Sequence, residues 1–259
     1  TPVIIIYYMR ISIITSCYNR NATIRGAIES VLAQDYDNTE YIVVDGASTD
    51  GSLDVINEYR GRIGRIISEP DHGMYEAINK GIRAATGDVI GLVHSDDFVY
   101  DEHVVSDVME AFERTGADFV YADGIYVDEN DINKVVRNWI GGRYSKWKVR
   151  HGWLPLHPTC YIRRDVMMRL GLYDESYKIA ADTDLLVRYL LENDLKVHYM
   201  RRYVVRMRMG GLSTDNAKRK KMWDEDIRVY SSHHFKCPQI TKVEKMLWKV
   251  PQFISAKWK

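Results

Sequence analysis

Four times within the first hundred residues a short apolar run breaks off on polar or acidic residues and gives way to helical spacing. Ile11-Ser12-Ile13-Ile14-Thr15 stops at Ser16-Cys17-Tyr18-Asn19-Arg20, after which Ile24, Ala27, Ile28, Val31 and Leu32 share one helical face. Tyr41-Ile42-Val43-Val44 ends on Asp45-Gly46-Ala47-Ser48-Thr49-Asp50-Gly51-Ser52, ahead of a helix carrying Leu53, Ile56 and Tyr59. Arg65-Ile66-Ile67-Ser68 ends on Glu69-Pro70-Asp71-His72-Gly73, ahead of the stripe Met74, Ala77, Ile78, Gly81, Ile82 and Ala85. Gly87 breaks that helix, and Val89-Ile90-Gly91-Leu92-Val93 runs into Ser95-Asp96-Asp97. Strands alternating with helices build βαβ units and a mainly parallel sheet. Each strand then delivers its polar or acidic end to one sheet edge, where open α/β sheets bind ligands.

Ser95-Asp96-Asp97 is the sharpest of these ends. Two adjacent carboxylates repel, so a fold that keeps them together needs a cation or a set of hydroxyls to offset the cost. A solvated turn with an Asp helix cap explains the tripeptide alone equally well. The acids at the other strand ends favour the ligand reading.

Taken together, five segments resemble a family 2 glycosyltransferase of the GT-A fold. They are Ser12–Arg20, Val43–Ser52, Glu69–Gly81, Ser95-Asp96-Asp97 and, far downstream, Ala181-Asp182-Thr183-Asp184-Leu185-Leu186-Val187-Arg188. The resemblance runs from about residue 11 to about residue 213, and its specificity lies in the order and spacing of the five pieces. It implies one Rossmann-like, mixed but mainly parallel sheet flanked by helices. It also implies an inverting, metal-dependent hexosyltransferase that moves a sugar from a nucleotide diphosphate, here read as a UDP-sugar. The acceptor would be a hydroxyl of a glycan or lipid-linked molecule in cell-surface polysaccharide synthesis.

That chemistry asks for three things: a neutralised leaving diphosphate, a held nucleotide and a deprotonated acceptor hydroxyl. Mg²⁺ or Mn²⁺ bound through one or two carboxylates meets the first, and Asp96 and Asp97 supply that number. The family frame has an acid two residues before its metal Asp. His94 stands there in this chain, so the resemblance leaves the ligand assignment between Asp97, preferred for the metal, and Asp96, which also suits the ribose. By the same resemblance Thr15, Tyr18, Asp45 and Asp71 hold the nucleotide. A carboxylate accepts from uracil N–H or ribose hydroxyls, and Tyr18 can lie against the base; an Asx turn at Asp45 and core packing of Tyr18 are the plainer readings. The family's Glu-Asp pair reads Ala181-Asp182 here, which keeps the Asp and makes Asp182 the expected general base. Asp184 caps or orients the helix, or faces the acceptor. His157, in Pro155-Leu156-His157-Pro158, and Arg206, with Arg208, Gly210 and Gly211 in a segment that closes over the diphosphate, complete the acceptor or phosphate candidates. Lys80 and Arg83 read either as phosphate contacts or as a solvated helix face.

The remaining segments set boundaries. A chain of 259 residues buries one large core or one core with an appendage. Its net charge of zero gives no global field for nucleic acid. The 3 cysteines, Cys17, Cys160 and Cys237, show neither paired nor metal-type spacing, which suits a reducing, cytoplasmic setting. No run of about 18 apolar residues is present to form a spanning helix. Residues 1–8 read as an extension before Met9, or as an edge strand. Residues 9–213 read as the catalytic domain, with a nucleotide-binding half to about residue 100. Residues 124–137 alternate as a hairpin around Glu129-Asn130-Asp131. The stretch from Trp139 to Trp153 reads as an acceptor lip or an oligomer contact. Residues 214–259 form a basic, aromatic extension: from Ala217 onward eleven basic and four acidic residues leave a balance of +7, with Trp223, Phe235, Trp248, Phe253 and Trp258 interleaved. Such a tail suits the anionic inner face of a membrane, a neighbouring subunit, or helices packed back on the domain.

Two other functions compete. A nucleotidyltransferase making nucleotide sugars shares the sheet and the metal logic, but it wants a glycine-rich loop where this chain has Ser16-Cys17-Tyr18-Asn19-Arg20-Asn21. A catalytically inactive sugar-nucleotide-binding relic is the non-enzyme alternative, against which the retained acids argue. A dinucleotide-binding dehydrogenase is excluded by the missing G-x-G-x-x-G.

Overall fold

The computed structural model describes residues 8–210 and 219–255. Most of the N-terminal extension, Gly211 of the expected closing segment, and Ala217, Lys218, Trp258 and the side chain of Phe253 from the tail lie outside the described residues.

The strand–helix alternation appears as expected: β1 (Ile11–Cys17), α1 (Ile24–Leu32), β2 (Thr39–Asp45), α2 (Ser52–Glu58), β3 (Arg65–Ser68), α3 (Met74–Ala84) and β4 (Val89–Leu92). Then follow β5 (Phe98–Val99), α4 (Val104–Thr115), β6 (Phe119–Val127), β7 (Val135–Trp139), α5 (Lys146–Arg150), β8 (Cys160–Arg163), α6 (Arg164–Leu170), α7 (Ala181–Glu192) and β9 (Val197–Arg208). The C-terminal segment forms α8 (Arg219–Ser232), α9 (Pro238–Leu247) and α10 (Val250–Ser255). The sheet order is β3-β2-β1-β4-β8-β6-β9-β5, with β7 paired to β6 as the expected hairpin. β3, β2, β1 and β4 are all parallel. β8 enters antiparallel to both β4 and β6, so the second half of the sheet is mixed.

Strand alternation splits the core in two. Ile11 and Ile13 point to the side covered by α1 and α4, where they meet Ile24, Ile28, Val104 and Phe112. Ile14 and Val44 point to the other side, against Ile78 and Ile82 of α3 and Leu185 and Tyr189 of α7. Each large aliphatic group buried this way contributes about 1.5–3 kcal/mol. α3 lies so close to β1 that a Cβ at Gly81 would stand 2.5 Å from Ile14 Cγ2, which is why a glycine interrupts the apolar stripe.

The chain runs from β1 to β3 in one direction and returns to place β4 on the other side of β1. The strand order reverses between β1 and β4, and that switch point opens a crevice at the C-terminal ends of both strands.

Candidate active site

A cavity of about 540 Å³ occupies this crevice, within the range of small-ligand sites. One wall comes from the loops after β1, β3 and β4. The opposite wall comes from the β6–β7 hairpin, the start of α7 and the C-terminal helices.

The loop after β1 is pinned by the loop after β2. Asn19 N–H donates to Ser48 Oγ at 2.9 Å, Thr49 N–H to Asn19 Oδ1 at 2.9 Å, and Arg20 N–H to Ser52 Oγ at 2.7 Å. These bonds hold Asn19 at φ 51° and project Tyr18, 60% exposed, over the cavity. Asp71 lies against Gly46, where a Cβ would stand 2.4 Å from Asp71 Oδ2 and 3.4 Å from the Tyr18 ring. Gly46 thus clears the space in which an aromatic face and a carboxylate meet. Burial raises the Asp71 carboxyl above its ordinary value.

Asp96 and Asp97 both line the cavity. Asp97 is only 2% exposed; its Oδ1 accepts the Arg208 N–H at 3.2 Å, while its buried Oδ2 has no partner. Burial first, then the Asp96 charge, push the Asp97 carboxyl well above the ordinary range. A bare buried carboxylate oxygen beside a second carboxylate is unfavourable as an anion unless a proton or a cation joins it. No group of three or more potential metal-ligating side chains occurs among the described residues. A divalent ion here would take its remaining ligands from phosphate oxygens and water, the usual arrangement for Mg²⁺.

Asp182 opens α7 on the facing wall. Its Oδ1 accepts the Thr183 N–H at 2.7 Å, while Oδ2 makes no hydrogen bond among the described residues. Asp96 and Asp182 both act electrostatically on His94, and Asp97 and Asp182 both act on Tyr126, so the three acids border a common space. His157 Nε2 pairs with Tyr173 Oη at 2.7 Å, and its ring centre lies 5.8 Å from that of His94. Burial pushes His157 down to about 4 and lowers His94 too, which leaves His157 uncharged near neutrality.

Several expected residues sit elsewhere. Thr15 is fully buried on the α1 side of β1, where its Oγ1 accepts from Tyr41 Oη at 3.1 Å. Asp45 is also fully buried; its carboxylate accepts from Ser68 Oγ at 2.8 Å and from Ser48 N–H, and it stands behind Asp71 instead of lining the cavity. Asp184 lies two residues past Asp182, about 200° around a helix of 3.6 residues per turn. It therefore faces away from the cavity, bonded to Arg188 at 3.1 Å and to His233 Nε2 at 2.8 Å. Arg206 lies 4.7 Å over the Tyr100 ring, outside the cavity, whereas Arg208, over Phe98 at 4.9 Å, does line it. Lys80 is engaged by Glu69 at 3.0 Å and Glu76 at 3.2 Å, as a solvated helix face would be.

The C-terminal helices supply residues that no motif announced. Asp226, Lys245, Trp248, Lys249 and Gln252 all line the cavity. Lys245 donates to Thr183 Oγ1 at 2.9 Å and Asp226 Oδ1 at 2.8 Å, tying α9 to the residue beside Asp182. The only sequence signal was the basic, aromatic composition of the tail, and composition does not tell which face turns inward.

The sequence model described as "Glycosyl transferase family 2" matches residues 12–172. A PGL/p-HBAD biosynthesis glycosyltransferase of Mycobacterium bovis is 29% identical over 207 residues, covering 78% of both chains. An uncharacterized glycosyltransferase of Mycobacterium tuberculosis is 30% identical over 182 residues, covering 70% of this chain and 69% of its own. Among solved structures, residues 1–349 of S. aureus TarS with UDP-GlcNAc superpose with a TM-score of 0.70 at 16% identity, covering 96% of this chain and 73% of TarS 1–349. The mannosyltransferase PcManGT of Pyrobaculum calidifontis, crystallised with GDP-Man and Mn²⁺, gives 0.66 at 17% identity, covering 97% and 74%. The two structures share the fold of this chain, with nucleotide sugars bound in theirs. A strand-edge cavity, its acids on facing walls and the match over residues 12–172 agree, and the chain belongs to glycosyl transferase family 2, with the GT-A fold.

Proposed function

We propose that this glycosyltransferase moves a hexose from a UDP-sugar to an acceptor hydroxyl with inversion at the anomeric carbon. The observation that carries the reading is Asp182, with one carboxylate oxygen open, across a single cavity from Asp96 and Asp97. The base and ribose lie against Tyr18 and Asp71. Asp97, with Asp96, holds a divalent cation, Mn²⁺ or Mg²⁺, which when bound offsets the charge of the leaving diphosphate. Asp182 Oδ2 accepts the acceptor hydroxyl proton as the oxygen attacks the anomeric carbon from the face opposite the diphosphate. The new C–O bond forms as the bond to the phosphate oxygen breaks, and the electron pair leaves with UDP. His157, its Nε2 engaged by Tyr173 Oη at 2.7 Å and its charged form disfavoured by burial, is a poor acceptor for that proton and serves to orient.

Calorimetric titration with UDP, GDP and their sugars, in Mn²⁺ and in chelator, tests the donor assignment. UDP nucleotides binding best, and only with metal, is the expected outcome. Equal affinity with and without metal, or preference for another base, overturns it.

The acceptor side adds a location. From α9 to the start of α10, Ile240, Val243, Leu247 and Val250 are exposed along one stripe while Lys242, Lys245 and Lys249 turn inward. Arg219, Lys220, Lys221 and Lys236 are exposed on the same C-terminal segment. An apolar stripe with nearby basic residues fits an anionic membrane surface, each basic contact adding about 1 kcal/mol. Such a surface would bring a lipid-linked acceptor to the cavity. The protein should co-float with anionic vesicles at low salt and less at high salt, and Leu247→Glu should weaken the attachment. Absence of flotation at low salt removes the membrane placement and leaves the chemistry standing.

A further inference from the structure

The cavity wall built by the C-terminal helices is cationic. Asp226, 1% exposed, receives both Lys242 and Lys245. Burial works against its charge, yet the two lysines hold its carboxyl below the ordinary value. That carboxylate is therefore fully used. One turn past Lys245, Lys249 enters the same cavity with no hydrogen bond or ion pair from its ammonium among the described residues. Arg137 comes from the hairpin on the other side, its guanidinium 4.9 Å over the Tyr126 ring and 4.7 Å over Trp139, with Nε donating to Gln252 Oε1 at 2.8 Å and Nη2 to the same oxygen. Burial, then Lys245, Arg137 and Lys242, push the Lys249 ammonium down to about 7, with Asp226 opposing. An ammonium held like that of Lys249 in a half-buried wall among like charges is unfavourable unless an anion joins it.

We propose that Arg137, Lys245 and Lys249 form an anion subsite on the acceptor side of the cavity that takes a phosphate group carried by the acceptor. The proposal rests on the glycosyltransfer reading and names the acceptor class. A guanidinium whose Nε–Nη2 edge is fixed by Gln252, with two ammonium groups approaching from different elements, suits a tetrahedral oxyanion better than a planar carboxylate. Trp139, Trp153 and Trp248 line the same cavity and offer apolar faces on which the acceptor sugar can stack. In the proposed reading the donor diphosphate is served at the other wall, where Asp96, Asp97 and Arg208 stand, which leaves Lys249 for a second anion.

The test titrates the full chain, saturated with UDP and Mn²⁺, with glucose 1-phosphate and with neutral methyl glucoside. The phosphate probe should bind about tenfold tighter or better. Lys249→Gln should erase that difference and Lys249→Arg should restore most of it, both with UDP affinity within about twofold of the parent. Equal binding of the two probes by the parent overturns the subsite while leaving the donor reading intact. A large loss of UDP affinity in Lys249→Gln, alongside normal thermal unfolding, assigns the cluster to the donor diphosphate and also overturns it. Absence of UDP binding by the parent strikes the donor reading instead, and the two probes compared without UDP still decide the subsite.

Discussion

Asp182→Asn is expected to lower turnover by roughly 10²–10⁴-fold, the usual worth of a positioned general base, while donor affinity changes little. Asparagine keeps the shape and can still accept the Thr183 N–H through Oδ1, the bond that holds Asp182 now at 2.7 Å. What disappears is the open second oxygen as a proton acceptor. Lys245 fixes the neighbouring Thr183 and not Asp182, so the start of α7 should stay in place. UDP release from a UDP-sugar in the presence of acceptor measures turnover, and titration with UDP measures the donor site separately. Near-normal turnover in the variant would move the base to another group. A product that keeps the donor's anomeric configuration would reject the single displacement.

The second large effect is expected at Asp97. Asp97→Asn should reduce nucleotide affinity in Mn²⁺ by about 100-fold or more, since even groups behind a metal's direct ligands commonly contribute 10–100-fold. The same variant should unfold at a higher temperature than the parent in chelator. The sign follows from the buried Oδ2 and the raised carboxyl. An acid whose pKa is higher folded than unfolded is protonated more readily in the folded state. Its contribution to stability therefore falls as pH rises from the unfolded value of 3.8 through the raised folded one. At neutral pH the folded protein carries that cost, and a neutral amide removes it. Reduced affinity together with a higher unfolding temperature separates loss of a cation site from loss of fold. Unchanged affinity in Mn²⁺ would place the cation on Asp96 alone or remove it from the mechanism.

The amphipathic periods of α1 and α3, the short apolar strands and the polar ends of those strands were all legible in the sequence. Each is a local pattern within ten or so residues, and each follows from a helical or strand period. The hairpin at residues 124–137 was legible for the same reason and appears as β6 with β7. Placement of acids at one sheet edge also followed, because parallel connections put successive strand ends on one side.

Side-chain direction at those ends was not legible. Thr15 and Asp45 occupy motif positions, yet both are consumed inside the protein by Tyr41 and by Ser48 with Ser68. Asp182 and Asp184 look interchangeable as letters, but a helix turns them to opposite sides, one to the cavity and one to Arg188 and His233.

By itself, then, the amino-acid sequence determined the alternating architecture and the acids at the sheet edge, which are written in short-range periodicity, and its five motif segments carried the resemblance to the family. The tertiary structure alone decided the wall of the cavity that the C-terminal helices build. Lys245 reaches Thr183 and Arg137 reaches Gln252 across separations of 62 and 115 residues. No local pattern encodes which face of α9 turns inward. That choice is made by packing, when Tyr230 and Val229 of α8 enter the core and Asp226 draws Lys242 and Lys245 after it.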